Sequence, residues 1–499
     1  MIINTKTAST FRGVGVVFLV VSLILLSTLI VVTTAQQVEQ KSSIEMGSEE
    51  FTPDGQLKSK PFYGVEEDLE NENISIEELI KRLSSSSSLE QHGDLFLRKI
   101  PFDNVAQVEK LGDFLGSPKA NKLKRIVFNK NGAEKDDPNV LEASKLAILL
   151  ERGFLKQTQP TLEVIGVTSN NMTLETCMVL SYLLFQKGSV VKKLYLYNNN
   201  IDSACLKVIF SPILLPTASN TSPDKVTIPP LTKLVILANN VGDEGAKYVV
   251  KIAEAIPTLN DIVLKKTGLK EEGVLALANF IESHPDRLTH IDISENTQFG
   301  LKAFTAFCAA VEKSTTLNLL DMNEIGMDSL NAVEVLVKLI RNNKSLRKID
   351  ISDNRIADNG VKAIATVLSE QNVHLGKIDI SNVGLTGEGI RYVIDAVKKN
   401  SNLKKVYIYR VEFFFEDSGI EKDLKELKKI IKSDFIDEEV ITSNEINTDP
   451  NDEENVEEPS EEDITEEDDE DDNITDEELS AHPLFASLME SATPKKDEL

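Results

Sequence analysis

From residue 259 onward an apolar pattern restarts at Leu259, Leu288, Leu317, Leu346 and Leu375, a strict 29-residue step. A fixed period constrains the fold more than any other property, because one supersecondary unit, repeated, must then explain most of the chain. The unit at Leu346 shows the pattern best. Leu346, Ile349 and Ile351 keep a strand-like beat, Asn354 and Ile356 turn the chain, and Ile364, Val367 and Leu368 share one helical face. No single unit can bury such a face alone, so neighbours must stack.

The frame L-x-x-L-x-L-x-x-N runs back through Leu231-Leu234-Ile236-Asn239, Val191-Leu194-Leu196-Asn199, Leu162-Ile165-Val167-Asn170 and Leu123-Ile126-Phe128-Asn131, and forward to Leu403-Val406-Ile408-Val411. A weaker unit, Leu97-Ile100-Phe102, is expected to start the array. Gly245, Gly273, Gly360 and Gly389 each fall 14 residues after a start. A residue without a Cβ there permits close approach as the helix begins. Thr267, Ile325, Val383 and Val411 replace the Asn, and those turns are expected to lose the side-chain bonds of an Asn ladder. The steps from 123 to 162 and from 191 to 231 are too long. The second insertion, rich in Pro, Ser and Thr, is expected to be a surface loop after the helix of its repeat.

This frame is the leucine-rich repeat pattern, and its units resemble the ribonuclease-inhibitor type, in which a strand alternates with a full helix. The resemblance covers roughly residues 95 to 435. It implies an α/β solenoid of about 10–11 repeats of about 28–29 residues, curved, with parallel strands on the concave face and helices on the convex face. Helical repeats ahead of an acidic tail are also similar in layout to Ran GTPase-activating proteins. Activators of GTPases supply an arginine to the transition state. The early loops, Asn129-Lys-Asn131, Ser169-Asn-Asn171 and Tyr197-Asn-Asn-Asn200, hold none, and Arg355 lies in a late repeat, so that role does not transfer.

The flanks divide the chain further. Residues 1–35 carry Lys6 and Arg12, an apolar run, and small residues at Thr33-Thr34-Ala35, which fits a signal peptide or a retained signal anchor. Either would send the rest of the chain into the secretory pathway. Residues 36–90 are expected to be a mobile arm with a short helix, opened by the capping box Ser75-Ile-Glu-Glu78 and continuing through Leu83. The repeat domain occupies 91–435, closed by a capping helix from Ser418 to about Ile431. From Asp437 to Glu478 there are 23 Asp and Glu and no Lys or Arg, so removing them from the formal charge of −27 leaves −4. Residues 436–495 are therefore expected to be a disordered acidic tail. It resembles the tails of lumenal chaperones such as calreticulin and could bind Ca²⁺ weakly. Nucleic acid is disfavoured as a partner, since no basic surface is implied. Lys496, Asp497, Glu498 and Leu499 match the retention address read by the KDEL receptor, and sequons at Asn73, Asn171, Asn220, Asn343 and Asn473 fit a lumenal glycoprotein.

Cys177 and Cys205 stand at nearly the same place in adjacent units; a bridge between them is open, but buried free thiols are the expectation, as for Cys308. His92, His284, His290, His374 and His482 are scattered, and no hydrolase triad, phosphate loop or zinc spacing is present, so no enzyme is expected.

Strand alternation names the exposed concave positions. One column runs Val127, Gly166, Tyr195, Val235, Val263, Asp292, Asp321, Asp350, Asp379, Tyr407. The next runs Asn129, Thr168, Tyr197, Leu237, Lys265, Ser294, Asn323, Ser352, Ser381, Tyr409. Two zones follow. Tyr195, Tyr197, Val235, Leu237 and Val263 form an apolar, aromatic patch suited to a protein partner, unless the long loop folds over it. Asp292, Asp321, Asp350 and Asp379 form an acidic stripe, common in this kind of repeat, that would favour a cation or a basic segment. Lys348, Lys377 and Lys405 share that face and partly neutralise it. The expected function is a lumenal protein-binding module in the endoplasmic reticulum, chaperone- or adaptor-like, without membrane contact unless the N-terminal run is an anchor. The alternatives are a GTPase regulator and a self-assembling scaffold.

Overall fold

The computed structural model describes residues 75–85, 93–98, 105–129, 143–155, 157, 159–169, 172–215, 227–370, 373–408, 422, 423, 425 and 427. The N-terminal apolar run, the arm before residue 75, the acidic tail, the Lys496–Leu499 tetrapeptide, Tyr409 and the sequons at Asn73, Asn171, Asn220 and Asn473 lie outside the described residues.

Among the described residues, eleven parallel strands form one sheet in sequence order. They are β1 (Asp94–Arg98), β2 (Arg125–Asn129), β3 (Val164–Thr168), β4 (Lys193–Tyr197), β5 (Lys233–Leu237), β6 (Asp261–Val263), β7 (His290–Asp292), β8 (Leu319–Asp321), β9 (Lys348–Asp350), β10 (Lys377–Asp379) and β11 (Lys405–Tyr407). The register keeps frame positions side by side: Leu194 faces Leu234 across β4 and β5, and Ile349 faces Ile378 across β9 and β10. The apolar positions of each strand point into one layer. Leu194, Leu196, Ile349 and Ile351 are each 0% exposed, and burial on this scale stabilises by roughly 1.5–3 kcal/mol per large aliphatic side chain.

Helices cover that apolar face, each packed on its sequence neighbours. In the regular units they run Gly242–Ala255, Glu271–Ser283, Gly300–Lys313, Leu330–Asn342, Ala357–Leu368 and Gly387–Lys399. The glycine 14 residues into a unit is needed for contact, as expected from sequence: a Cβ on Gly389 would sit 2.3 Å from Asp358 Oδ1 of the preceding helix, and one on Gly273 2.5 Å from Asp243 Oδ1. Among the described residues no helix is long and apolar enough to cross a membrane.

Four expectations are corrected. First, the opening strand is Asp94–Arg98, with Leu95 beside Ile126 and Leu97 beside Phe128, so Leu95 and Leu97 take the slots assigned to Ile100 and Phe102. Second, the short helix spans Ile76–Ser85, with the Glu78 amide donating to Ser75 Oγ at 3.3 Å. Ile76, Leu79 and Leu83 are buried and Lys110 pairs with Glu77, so this helix packs on the array as its N-terminal end instead of belonging to an arm. At the other end Leu427 is fully buried and Asp423 pairs with Arg391 at 2.8 Å.

Third, the Asn ladder serves the preceding repeat. Asn296 Oδ1 accepts from the amides of Thr267 and Leu269, and Asn354 Oδ1 from those of Ile325 and Met327. The turns at Thr267 and Ile325 are therefore bonded by the next unit's Asn, and an Asn missing at these positions withdraws its bonds from the turn one repeat earlier. Fourth, Cys177 and Cys205 form a disulfide, with their Cα atoms 5.7 Å apart. It joins helix Leu174–Phe185 to helix Ser203–Ile209, while Cys308 is a free, buried thiol.

Each described unit from 162 to 375 also has a residue of positive φ seven positions after its start: Ser169, Asn198, Ala238, Lys266, Glu295, Glu324, Asp353 and Asn382. None is glycine, so composition gives no hint of this turn.

Candidate functional site

The register sets the first column side by side, and the second only as far as Leu237, beyond which its residues follow the strand ends. Val127, Gly166, Tyr195, Val235 and Val263 are successive strand partners, and Asp292, Asp321, Asp350, Asp379 and Tyr407 continue the row. In the apolar zone Val235 and Val263 are buried, at 7% and 8% exposure, and form the floor. Tyr195, Tyr197 and Leu237 are half-buried and form the surface above it. Burial pushes the Tyr195 phenol well above its usual range, so it stays neutral. The described end of the long insertion sits in the helical layer, opposite these side chains: helix Ser211–Leu214 packs on Leu174–Phe185 and Gly242–Ala255. Phe210 just before it meets Phe185 edge to face at 6.2 Å.

The acidic zone is more internally compensated than the sequence suggests. A third column, ahead of the two named from sequence, runs Lys193, Lys233, Asp261, His290, Leu319, Lys348, Lys377, Lys405. His290 lies at its centre. Its Nδ1 is 2.8 Å from Asp261 Oδ1 and its Nε2 is 3.1 Å from Asp321 Oδ2. Lys233 Nζ meets Asp261 Oδ2 at 2.9 Å, and Lys348 Nζ meets Asp321 Oδ1 at 3.4 Å. Five side chains on five adjacent strands thus alternate in sign. Burial would lower the His290 pKa, but the two carboxylates raise it to about 9, so the ring is an imidazolium that donates from both nitrogens. Burial would raise Asp321, yet Lys348 and His290 hold it at about 2. Asp261 is likewise lowered, by His290 and Lys233 against its burial. The same strand alternation contains this column, but the partners of His290 lie 29 and 31 residues away in sequence, so no local cluster marks it.

The remaining aspartates differ. Burial, then repulsion from Asp321, raises Asp292 to about 6; burial, then Asp350, raises Asp379 to about 6; Asp350 is raised by burial and Asp321. Each is tethered by the serine two residues on. The Ser294, Ser352 and Ser381 amides donate to Oδ1 of Asp292, Asp350 and Asp379 at 2.9, 3.0 and 3.0 Å. The Ser352 and Ser381 hydroxyls donate to the same oxygens. These serines are buried, so in this stretch the column expected to be exposed instead supports the turn. Among the described residues no group of three or more His, Cys, Asp or Glu side chains is placed to hold a metal ion.

Tyr407 closes the row on β11, half-buried. Asn343 is a structural residue despite its sequon: it is 3% exposed, and its Nδ2, the atom a glycan would occupy, donates to the carbonyls of Val311 and Ser314 at 2.7 and 3.1 Å. Arg355 is exposed in the turn after β9.

Comparison with known proteins gives one local match and several distant likenesses. A family model described as Leucine Rich repeat matches residues 342–365, the unit around β9. No curated protein matches the sequence. Similar solved structures include the complex of Rad7 and Elc1 in yeast, at 16% identity, covering 65% of this chain and 71% of that chain with a TM-score of 0.43. Another is the leucine-rich repeat-containing protein LegL7 from Legionella pneumophila, at 11% identity, 67% and 98% coverage and a TM-score of 0.39. An internalin from Listeria monocytogenes gives 14%, 71%, 92% and 0.37. At such scores these likenesses carry no further argument. The 29-residue frame, the eleven-strand parallel register and the family match make this chain a leucine-rich repeat solenoid.

Proposed function

We propose that the protein is a binding module of the endoplasmic reticulum lumen that holds protein partners on its concave face, without catalysis of its own. The observation that carries this reading is the Tyr195, Tyr197 and Leu237 cluster over the Val235 and Val263 floor. Large rigid side chains on an apolar floor are what dominate protein interfaces, and here they adjoin the row of charged side chains that runs from Asp292 to Asp379. The full helices of the regular units support the ribonuclease-inhibitor type of repeat. The lumenal assignment draws support from the Cys177–Cys205 disulfide, since such bonds persist in oxidising compartments. The N-terminal apolar run and the Lys496–Leu499 tetrapeptide, which the KDEL receptor would read, point the same way. Weak Ca²⁺ binding by the acidic residues 437–478 belongs to the same proposal.

Replacing Tyr195, Tyr197 and Leu237 together by Ser removes the cluster without touching the strand core. In a lumenal pull-down the triple variant should lose most captured partners; an unchanged partner set would sink the reading.

A further inference from the structure

We infer that the turns following β3 to β7 form a groove that takes an extended polypeptide segment by its backbone, a partner class that rests on the concave-face reading and narrows it. The groove encloses about 710 Å³ and is lined chiefly by Asn198, Asn200, Asn240, Lys266 and Glu295. These residues follow Tyr197, Leu237, Lys265 and Ser294 in sequence, so the groove borders the apolar zone. Its volume lies within the usual range of ligand sites, but its lining is polar.

The lining chemistry selects the occupant. Asn199 and Asn239 are buried and bonded to backbone groups of neighbouring units. Asn200 and Asn240 are exposed, and no described residue hydrogen-bonds their side chains. A carboxamide carries a donor and an acceptor on one planar group, the same pair a peptide unit presents. Glu295 is shared by Lys265 (Oε1, 2.9 Å) and Lys266 (Oε2, 3.3 Å), so the trio carries one net positive charge and adds a donor, Lys266, to the groove. A folded partner has already paired most backbone groups internally, whereas an extended segment arrives with them unpaired. Gly268 keeps the arrangement open, because a Cβ there would sit 2.7 Å from Asn240 Oδ1.

Spacing fits the same occupant. Four strand steps of about 4.8 Å span roughly 19 Å, the length of about six extended residues. Alternate side chains of such a segment would reach Tyr197 and Leu237, as in strand-like peptide recognition.

The test uses the full chain and, as probe, reduced and carbamidomethylated α-lactalbumin, with the native disulfide-bonded form as control. The protein should bind the unfolded form and not the native form. Asn200→Ala with Asn240→Ala should weaken binding by on the order of tenfold with an unchanged melting temperature, since both side chains are exposed. Equal binding of both probe forms, no binding of the unfolded form, or wild-type affinity in the Asn variant would overturn the groove. The Tyr195, Tyr197 and Leu237 triple variant, run beside it in the lumenal pull-down, separates the two readings. If the triple variant loses partners while the Asn variant holds the probe normally, the concave face stands and the groove does not.

Discussion

Strands β1 to β5 and strands β6 to β11 share one scaffold and one register, yet they present opposite chemistry. The first five strands are five residues long, their repeat steps vary, and their concave face carries Val127, Tyr195, Tyr197, Val235 and Leu237. The last six are three residues long, most of their repeats keep the 29-residue step, and their face is an ordered set of charges. In the regular half the largely buried charges of this face answer one another across strands, as Asp261, His290, Asp321 and Lys348 do. In the irregular half apolar surface has no such internal answer. On the proposed reading, regularity marks scaffold, and departure from it marks the surface offered to a partner.

The strongest way to sharpen that contrast is to break the charge chain. His290→Ala leaves Asp261 and Asp321 without the cation between them. Removing one member of a buried pair costs about 3–5 kcal/mol, readable as a lowered urea midpoint, while partner capture should persist. Opening the disulfide acts on the other half. Cys177→Ala with Cys205→Ala should lower stability by about 2–4 kcal/mol. Hydrogen exchange should then rise in Leu174–Ile209 and stay unchanged in Leu330–Tyr407.

Asn296→Ala strands the amides of Thr267 and Leu269 and should cost about 1–3 kcal/mol. Its exchange signature should fall on residues 267–269, one repeat before the mutation. Faster exchange confined to the mutated turn would contradict the ladder direction.

The pH dependence splits by sign. His290 takes its proton at about 9 when folded and near the ordinary imidazole value of 6.5 when unfolded. Its contribution is therefore fully present below about 6.5 and lost as pH rises through about 9. Asp379 is raised from 3.8 to about 6, so stability falls as pH climbs between those values. Asp379→Asn should remove that fall and stabilise the protein by about 1 kcal/mol at neutral pH, with the partial exposure of the site limiting the gain. Urea titrations of the two variants between pH 3.5 and 9.5 check both signs.

The frame is legible because its period survives in every regular unit, and alternation then places Tyr195 through Asp379 in one row, although Val235 and Val263 within it are buried rather than exposed. The failures have specific causes. Leu95-Leu97 and Ile100-Phe102 are two overlapping alternations, and Pro101, which cannot donate to a sheet ladder, favours the first. Cys177 and Cys205 sit almost one repeat apart, a spacing that brings neighbouring helices together without fixing whether their side chains meet. The direction of the Asn bonds belongs to stacking between units, which a single unit does not encode. Neither does the left-handed residue at Ser169 or Lys266, since no glycine marks it.

The central claim is that the irregular half binds and the regular half supports. It is tested most directly by running two folded variants in one lumenal pull-down: the Tyr195, Tyr197 and Leu237 to Ser triple, and Asp350→Asn with Asp379→Asn. The account predicts that the triple loses most partners while the Asp pair keeps them. Loss of partners in the Asp pair with retention in the triple would contradict it.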